Sequence, residues 1–181
     1  MKFLFFYLFL ITISFASICR LNEPDTVVDY YFLNDGYKIN FYDIDEVKSL
    51  KFEEKSGYKF DDSDNVKYAI YDVLKNTNKG YKVIGYIFCV NEKYSFNNME
   101  ITAVYDANGT LKKIYYQKLI SENSYLFRDQ RFLSQFLNIK NKGFNINNIK
   151  NPSPRDADIF ESTKRAVMKN ITLFNFFVFN K

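Results

Sequence analysis

The stretch that decides the fold is residues 82–90, KVIGYIFCV. It is a near-continuous run of β-branched and aromatic residues, which is typical of a strand covered on both faces. Outward from it, residues 66–74 and 98–105 alternate apolar and polar side chains, and this alternation predicts two further strands. Asp-Ala-Asn-Gly at 106–109 predicts a tight hairpin, because Asn and Gly tolerate positive φ, with residues 110–119 as the return strand.

Helices are predicted before and after these strands in the chain. Residues 43–55 and 129–139 each begin with an aspartate that can cap a helix, and each carries a short apolar stripe. Residues 151–167, NPSPRDADIFESTKRAV, lead from a proline-punctuated loop into an amphipathic helix, with Asp158 as its cap in capping-box spacing. The aromatic stretch 174–179 has three interpretations: the last helical turn, a closing strand or a contact with a partner. The predicted fold class is α+β, an antiparallel sheet with a central hairpin packed by two or three helices.

Polar segments predict surface connections between these elements. Residues 76–80 form a turn, and the predominantly polar residues 92–97 are predicted to connect two strands. Residues 61–64, Asp-Asp-Ser-Asp, resemble a calcium loop only superficially, because the glycine and distal glutamate of an EF-hand are missing. They are predicted to form an exposed acidic turn.

Composition limits the chemistry that the chain can perform. There are 20 Phe and 15 Tyr but no His, so the usual general base and the commonest metal ligand are missing. Two Cys cannot build a structural zinc site. The net charge of +4 is mild, and no run of Lys and Arg is dense enough for a nucleic-acid interface. The sequence therefore argues against an independent enzyme, a metal site and a nucleic-acid partner.

The amino terminus has the pattern of an export signal. A short positive start and an apolar run precede small residues, which predicts cleavage before Ser17. The apolar run is short for a transmembrane span, and an uncleaved anchor is the alternative. The predicted organisation is a signal peptide at 1–16, an N-terminal arm at 17–36 and a single domain at 37–181. The predicted location is exported, either periplasmic or membrane-associated.

The two cysteines allow several states in an exported protein. A Cys19–Cys89 bridge would require the N-terminal tail to dock on the sheet. The sequence favours separate thiols, with Cys89 packed as a small hydrophobic residue in a buried strand. Lipidation of Cys19 is a further alternative, although Ile18 stands where a lipoprotein signal requires a small residue.

Three consecutive segments share their order of elements with a known family: GYKVIGYIF at 80–88, MEITAVYDANGTLKKIYYQKL at 99–119 and ENSYLFRDQRFLSQFLNI at 122–139. They resemble the bacterial FMN-binding domain family, which includes the flavin-carrying G and C subunits of the Rnf and Nqr respiratory complexes. It also includes the periplasmic domain of the nitrous-oxide reductase regulator. Gly109 matches the family's hairpin glycine, and Gln135-Phe136 matches the Gln-Phe pair that ends its helix. The resemblance covers roughly residues 66–170 and lies in the pattern of elements.

The attachment signature of that family is altered in this chain. In the family, Ser-Gly-Ala-Thr enters the last helix, and the threonine carries FMN through a phosphoester. The matching residues are Arg155-Asp156-Ala157-Asp158. A carboxylate at 158 cannot form the threonyl phosphoester, and it adds negative charge to a helix N-terminus that would otherwise attract phosphate. Covalent attachment is therefore not expected, and any FMN would be held noncovalently.

The resemblance implies a flavin site built from two parts of the chain. Its candidate cofactor-binding residues are Ala157, Asp158, Ser162 and Thr163 at the helix start, with Glu122 and Tyr125 after the return strand. It further implies an accessory or electron-transfer component of an envelope redox complex, whose partner is a membrane redox complex or another envelope protein. The alternative is a flavin-free structural or assembly module of the same fold.

One further motif overlaps the predicted hairpin. Asp106-Ala-Asn108-Gly-Thr110 fits the acidic bacterial N-glycosylation sequon. An Asn-Gly hairpin explains the same residues, and the sequence favours that simpler interpretation.

Overall fold

A computed structural model describes residues 18–33, 36–44, 53, 67–138 and 145–179. The predicted signal peptide and the acidic turn at 61–64 lie outside these residues. So does most of the helix predicted over 43–55, where Glu53 is described and is helical. Asp43 itself is the last residue of a strand, and the helix start that it is predicted to cap lies outside the described residues.

The elements follow one another in this order: α1 (Pro24–Phe32), β1 (Tyr37–Asp43), β2 (Lys67–Thr77), β3 (Gly80–Tyr94), β4 (Asn97–Asp106), β5 (Leu111–Lys118), α2 (Ser124–Arg128), α3 (Gln130–Leu133) and α4 (Ala157–Phe179). The five strands form one antiparallel sheet in sequence order, so each strand pairs with its neighbours in the chain. The predicted α+β class with a central antiparallel hairpin is confirmed.

One face of the sheet is covered by α4, and large aromatic rings fill the space between them. Phe174 stacks on Tyr105 with ring centroids 3.8 Å apart, and Phe177 stacks on Tyr42 at 4.7 Å. Because α4 ends at Phe179, the aromatic stretch 174–179 forms the last turns of this helix. The first of its three interpretations is therefore correct, and burial in the core accounts for much of its aromatic character.

The opposite face is covered by the N-terminal arm. Leu21 and Val28 are buried there against a second apolar cluster that includes Tyr71 and Ile87. α1 begins with a proline in its first turn, a position where proline is tolerated because its missing N–H would have no helical partner. Both faces of β3 are thus covered, as its continuous apolar run predicts, and the arm is an integral part of the fold.

A glycine in β3 allows the arm to approach closely. A Cβ atom at Gly85 would lie 2.2 Å from Cε1 of Phe32 and 2.7 Å from the carbonyl oxygen of Tyr105. A larger residue at 85 would therefore displace the Phe32 ring and clash with the backbone of β4.

A disulfide joins Cys19 to Cys89, so the prediction of separate thiols is wrong. The physical reason is the docking of the arm, since Leu21 is buried against the sheet and its backbone N–H donates to the Tyr71 hydroxyl at 3.1 Å. The side-chain amide of Gln117 lies against the bridge, 3.2 Å from Sγ of Cys89. Because its sulfur is bonded, Cys19 cannot carry a lipid thioether in this state.

The connection predicted at 92–97 is wrong, because β3 and β4 extend to a two-residue turn at Ser95-Phe96. Glu92 has a polar side chain and yet is buried, with 7% of its surface exposed. Its carboxylate is 3.1 Å from Nε of Arg165 and 3.8 Å from Nζ of Lys169. The polar stretch is therefore strand, and its charge is balanced by two cations of α4.

The hairpin predicted at 106–109 is confirmed. Gly109 has φ 74°, and Oδ1 of Asp106 accepts from the backbone N–H groups of Asn108 at 3.0 Å and Thr110 at 2.8 Å. Partial desolvation acts to raise the pKa of Asp106, but the hydrogen bonds from Thr110, Lys112 and Asn108 lower it below its usual value. The aspartate thus closes the turn in its charged form.

The short helix predicted at 129–139 is present as α3 followed by a 3-10 helix, Ser134–Asn138. Its predicted cap is confirmed, since the Asp129 carboxylate accepts from the backbone N–H of Arg131 at 2.7 Å. α2, immediately before it, is a helix that the sequence patterns do not predict.

Candidate functional site

Three chain segments meet at one end of the molecule. They are the β3–β4 turn, the loop after β5 and the N-terminal end of α4. The Tyr94 hydroxyl donates to the carbonyl oxygen of Ile120 at 2.7 Å and accepts from its N–H at 3.0 Å. The Asn123 side-chain amide donates to the Asp156 carboxylate at 2.8 Å. The structure therefore brings together the two parts of the chain from which the family resemblance builds its site.

The predicted cap of α4 has a different role. A 3-10 turn, Pro154–Asp156, runs directly into the helix, so Asp158 lies inside the first helical turn and does not precede it. The capping assignment is therefore wrong. The Asp158 carboxylate instead accepts a hydrogen bond from the Ser95 hydroxyl. This bond ties the β3–β4 turn to α4.

The two hydroxyl residues among the predicted site positions are buried and engaged within the protein. Thr163, which has no exposed surface, donates to the carbonyl oxygen of Ile159 at 2.7 Å and is 2.7 Å from the Tyr116 hydroxyl. Burial raises the pKa of Tyr116 well above its usual value, so this phenol stays protonated. Ser162 accepts from the Arg165 guanidinium at 2.7 Å. Thr163 therefore links α4 to β5, whereas the bond of Ser162 lies within α4.

The remaining predicted positions are on the surface. Ala157, Asp158 and Glu122 are exposed, and Tyr125 exposes about two thirds of its surface. The six positions therefore share one end of the molecule without converging on one cavity.

The residues at the start of α4 do not fit an FMN phosphate. A phosphate-binding site needs free N–H groups and positive charge. Here Asp156 and Asp158 place two carboxylates in adjacent turns, and Asp156 also accepts from the Ser153 hydroxyl. The buried hydroxyls of Ser162 and Thr163 are already bonded within the protein. The prediction of noncovalent FMN binding therefore gains no support from this turn.

A cleft of about 270 Å³ lies beside this end of the molecule. It is lined by Leu126, Asp129, Arg131, Phe132, Gln135, Lys150, Asn151 and Pro152. The Arg131 guanidinium is held by the Asp129 carboxylate at 2.7 Å, so much of its charge is already balanced. The sequence gives no signal for this cleft, because its walls come from two segments, 126–135 and 150–152, that only the fold brings together.

Apolar side chains are exposed at the same end. Phe96, at the tip of the β3–β4 turn, is fully exposed, and Ile120 and Tyr125 each expose more than half of their surface. Ser95 holds the tip with φ 44°, an uncommon backbone conformation for a residue other than glycine. A sequence pattern that assigns 92–97 to a connection cannot reveal this tip, because Phe96 is recognised as a projecting residue only once both strands are known to reach it.

Within the described ranges, no three His, Cys, Asp or Glu side chains group so as to hold a metal ion. No helix in that same part of the chain has the length and apolar character needed to cross a membrane. Comparisons with protein-family models, with curated protein sequences and with solved structures found no match. The fold and the geometry of the site therefore carry the functional argument alone.

Proposed function

We propose that this protein is an exported accessory module of an envelope complex, and that it acts by contacting a protein partner without carrying a flavin. The observation that carries the proposal is at the start of α4. The side chains that would have to seat a flavin phosphate are bonded to other residues of the protein, while the adjoining hairpin tip presents Phe96 to solvent.

The hairpin tip has the properties of a protein contact. The contact of an aromatic side chain with water is unfavourable. Burying that side chain against a partner contributes about 1.5–3 kcal/mol to binding. The tip is also held in place, because Ser95 is bonded to Asp158 and Tyr94 is bonded to Ile120. A contact residue on a rigid support loses little conformational entropy when it binds.

The disulfide supports export. Disulfides form and persist in oxidising compartments and are rare in the cytosol. The Cys19–Cys89 bridge agrees with an apolar N-terminal segment that predicts secretion. Cleavage before Ser17 would leave two residues ahead of the bridged Cys19, so the new N-terminus would be fastened to the sheet.

An electron-transfer component with noncovalent FMN is the second candidate. The cleft beside α3 favours it, because Phe132 supplies an aromatic wall and Lys150 a positive charge close to the predicted Tyr125 region. Aromatic residues can stack on an isoalloxazine ring. This candidate predicts flavin in the purified protein, whereas the contact module does not.

A visible absorption spectrum separates the two candidates. The mature protein, purified from the envelope of its source, is expected to be colourless and to leave the fluorescence of added FMN unquenched. Lys150→Ala serves as the matched variant, because it removes one of the two cations that line the cleft without touching the hairpin tip. A yellow protein, or FMN quenching that Lys150→Ala weakens, would exclude the contact module and support the electron-transfer candidate.

Removing the exposed aromatic ring tests the contact itself. Phe96→Ser is expected to shift the protein from a high-mass envelope complex to the free form in size-exclusion chromatography, because a loss of about 1.4 kcal/mol raises the Kd about tenfold. Tyr81→Ser is the control, since Tyr81 is 70% exposed beside the turn at the other end of β3. Equal behaviour of the two variants would contradict the assignment of the tip as the contact.

A further inference from the structure

We infer that Asn108 is an acceptor for an N-linked glycan. Apart from Asn151-Pro-Ser, which proline excludes, the sequence contains two Asn-x-Ser/Thr sites, Asn108-Gly-Thr110 and Asn170-Ile-Thr172. The fold separates them sharply, because one is at an exposed turn and the other is in the core.

Asn170 cannot act as an acceptor in the folded protein. It has 1% of its surface exposed, its amide nitrogen donates to the Phe88 carbonyl oxygen at 2.8 Å, and its Oδ1 accepts from the Tyr105 hydroxyl at 2.6 Å. A sugar on this nitrogen would have to replace a buried hydrogen bond and enter the space between α4 and the sheet. Glycosylation there is incompatible with the fold.

Asn108 meets the requirements that Asn170 fails. Both Asn108 and Thr110 are exposed, and the turn is closed through backbone N–H groups of these residues, not through the Asn108 side-chain amide. Asp106 supplies an acidic residue two positions before the asparagine. A substituent on Asn108 can therefore extend into solvent while the hairpin keeps its hydrogen bonds.

The modification is compatible with the proposed contact surface. Asn108 follows β4, whereas Phe96 precedes it, so the two sites lie at opposite ends of this strand. A strand of ten residues spans roughly 30 Å. A glycan on Asn108 would leave the hairpin tip free, and it would shield the end of the sheet next to Phe179, whose ring lies against Gly109.

The reaction uses a membrane-bound oligosaccharyltransferase and a polyprenyl-diphosphate-linked oligosaccharide as donor. The Asn108 amide nitrogen forms a bond to the anomeric carbon of the first sugar, and the bond between that carbon and the diphosphate oxygen breaks. Polyprenyl diphosphate leaves with the bonding electron pair, and the amide proton passes to a base of the transferase. No oxidant or reductant takes part.

Peptide mapping of the protein purified from its source tests the inference. Trypsin separates the two sites, with Asn108 in peptide 94–112 and Asn170 in peptide 170–181. Peptide 94–112 is expected to carry a glycan mass with fragment ions that locate it on Asn108, while peptide 170–181 is expected unmodified. Thr110→Ala should abolish the added mass, and Thr172→Ala should leave it unchanged.

The inference rests on the export that the proposed function includes, and the same digest distinguishes the two. Peptide 94–112 that is unmodified or only deamidated, in a chain beginning at Ser17, overturns the glycan and leaves export standing. An unmodified peptide in a chain that retains residues 1–16 and is recovered from the cytosolic fraction overturns both. A glycan that persists in Thr110→Ala overturns the assignment of the sequon.

Discussion

Replacing both bonded cysteines, as Cys19→Ala with Cys89→Ala, is expected to lower the free energy of unfolding by about 4 kcal/mol, because the bridge closes a long loop in the unfolded chain. The two residues are 70 positions apart, and the entropy that a cross-link removes from the unfolded state grows with loop length. The measurement is urea denaturation of oxidised wild type and of the double variant.

The loss of stability should be greatest where the N-terminal arm packs on the sheet. α1 and Leu21 cover one face through a small apolar cluster, so the arm depends on the bridge more than α4 does. Amide exchange in α1 is expected to accelerate far more than exchange in α4. Gln117→Ala is the comparison variant, because it removes a side chain that touches the bridge and bonds the backbone of the arm at Arg20 and Asn22, but leaves the covalent bond intact. Acceleration in α1 beyond that of Gln117→Ala belongs to the covalent bond.

Reduction gives an independent check of the same bridge. A reducing agent should lower the stability of wild type to about that of the double variant and should not affect the variant itself. A double variant as stable as oxidised wild type would contradict the role of the bridge. So would equal acceleration of exchange in α1 and α4.

Four of the five strands can be predicted from sequence because their signals are local, whereas β1 is not predicted. The continuous apolar run at 82–90 and the Asn-Gly turn at 108–109 lie within a few residues of the structure that they specify. The class of the fold follows, because strands joined by short turns, as β2 to β5 are, pair readily with their neighbours in an antiparallel sheet.

The errors arise where distant residues determine the local structure. Glu92 has the polarity of a loop residue, yet it is buried in a strand because Arg165 and Lys169 of α4 balance its charge. The bridge of Cys19 to Cys89 likewise requires the arm to fold back on the sheet. Neither the cations of α4 nor the docking of the arm can be recognised within a local window of sequence.

The candidate site also has features that the local sequence predicts and features that only the fold determines. The acidic character at the start of α4 is evident from Asp156 and Asp158, and so is its conflict with phosphate. The positions of Ser162 and Thr163 are not evident, because hydroxyls near a helix start are compatible with both a ligand and a buried bond. For Thr163, the hydrogen bond with Tyr116 in the structure shows that the hydroxyl makes a buried bond within the protein.

The other large effect is expected at Asn170, the buried amide that connects α4 to the sheet. The registered pairs between β2 and β3 end at Ile70 and Phe88, while β3 continues beside β4 to Tyr94. Asn170 donates to the Phe88 carbonyl oxygen at that point and accepts from the Tyr105 hydroxyl. Burial raises the pKa of Tyr105 well above its usual value, so the phenol remains a donor.

Asn170→Leu keeps the approximate volume but leaves a buried carbonyl and a buried phenol without this partner. Each unsatisfied group costs about 1–3 kcal/mol, so the expected loss of unfolding free energy is about 4 kcal/mol. Thr172→Val is the control on the same helix, because the Thr172 hydroxyl bonds only to the Met168 carbonyl oxygen among the contacts described for it. Its expected effect is below about 0.5 kcal/mol.

A double-mutant cycle with Tyr105→Phe identifies the cause of the loss. Tyr105→Phe alone removes the donor to Asn170, and it should cost about 2 kcal/mol. In the background of Asn170→Leu the same change removes an unsatisfied phenol, so it should cost nothing or restore stability. The two substitutions are therefore expected to be non-additive by about 2 kcal/mol in urea denaturation, within the range seen for residues in direct contact. Additive losses would mean that the hydrogen bond between Asn170 and Tyr105 does not carry the loss, which would then come from the bond to the Phe88 carbonyl oxygen or from packing.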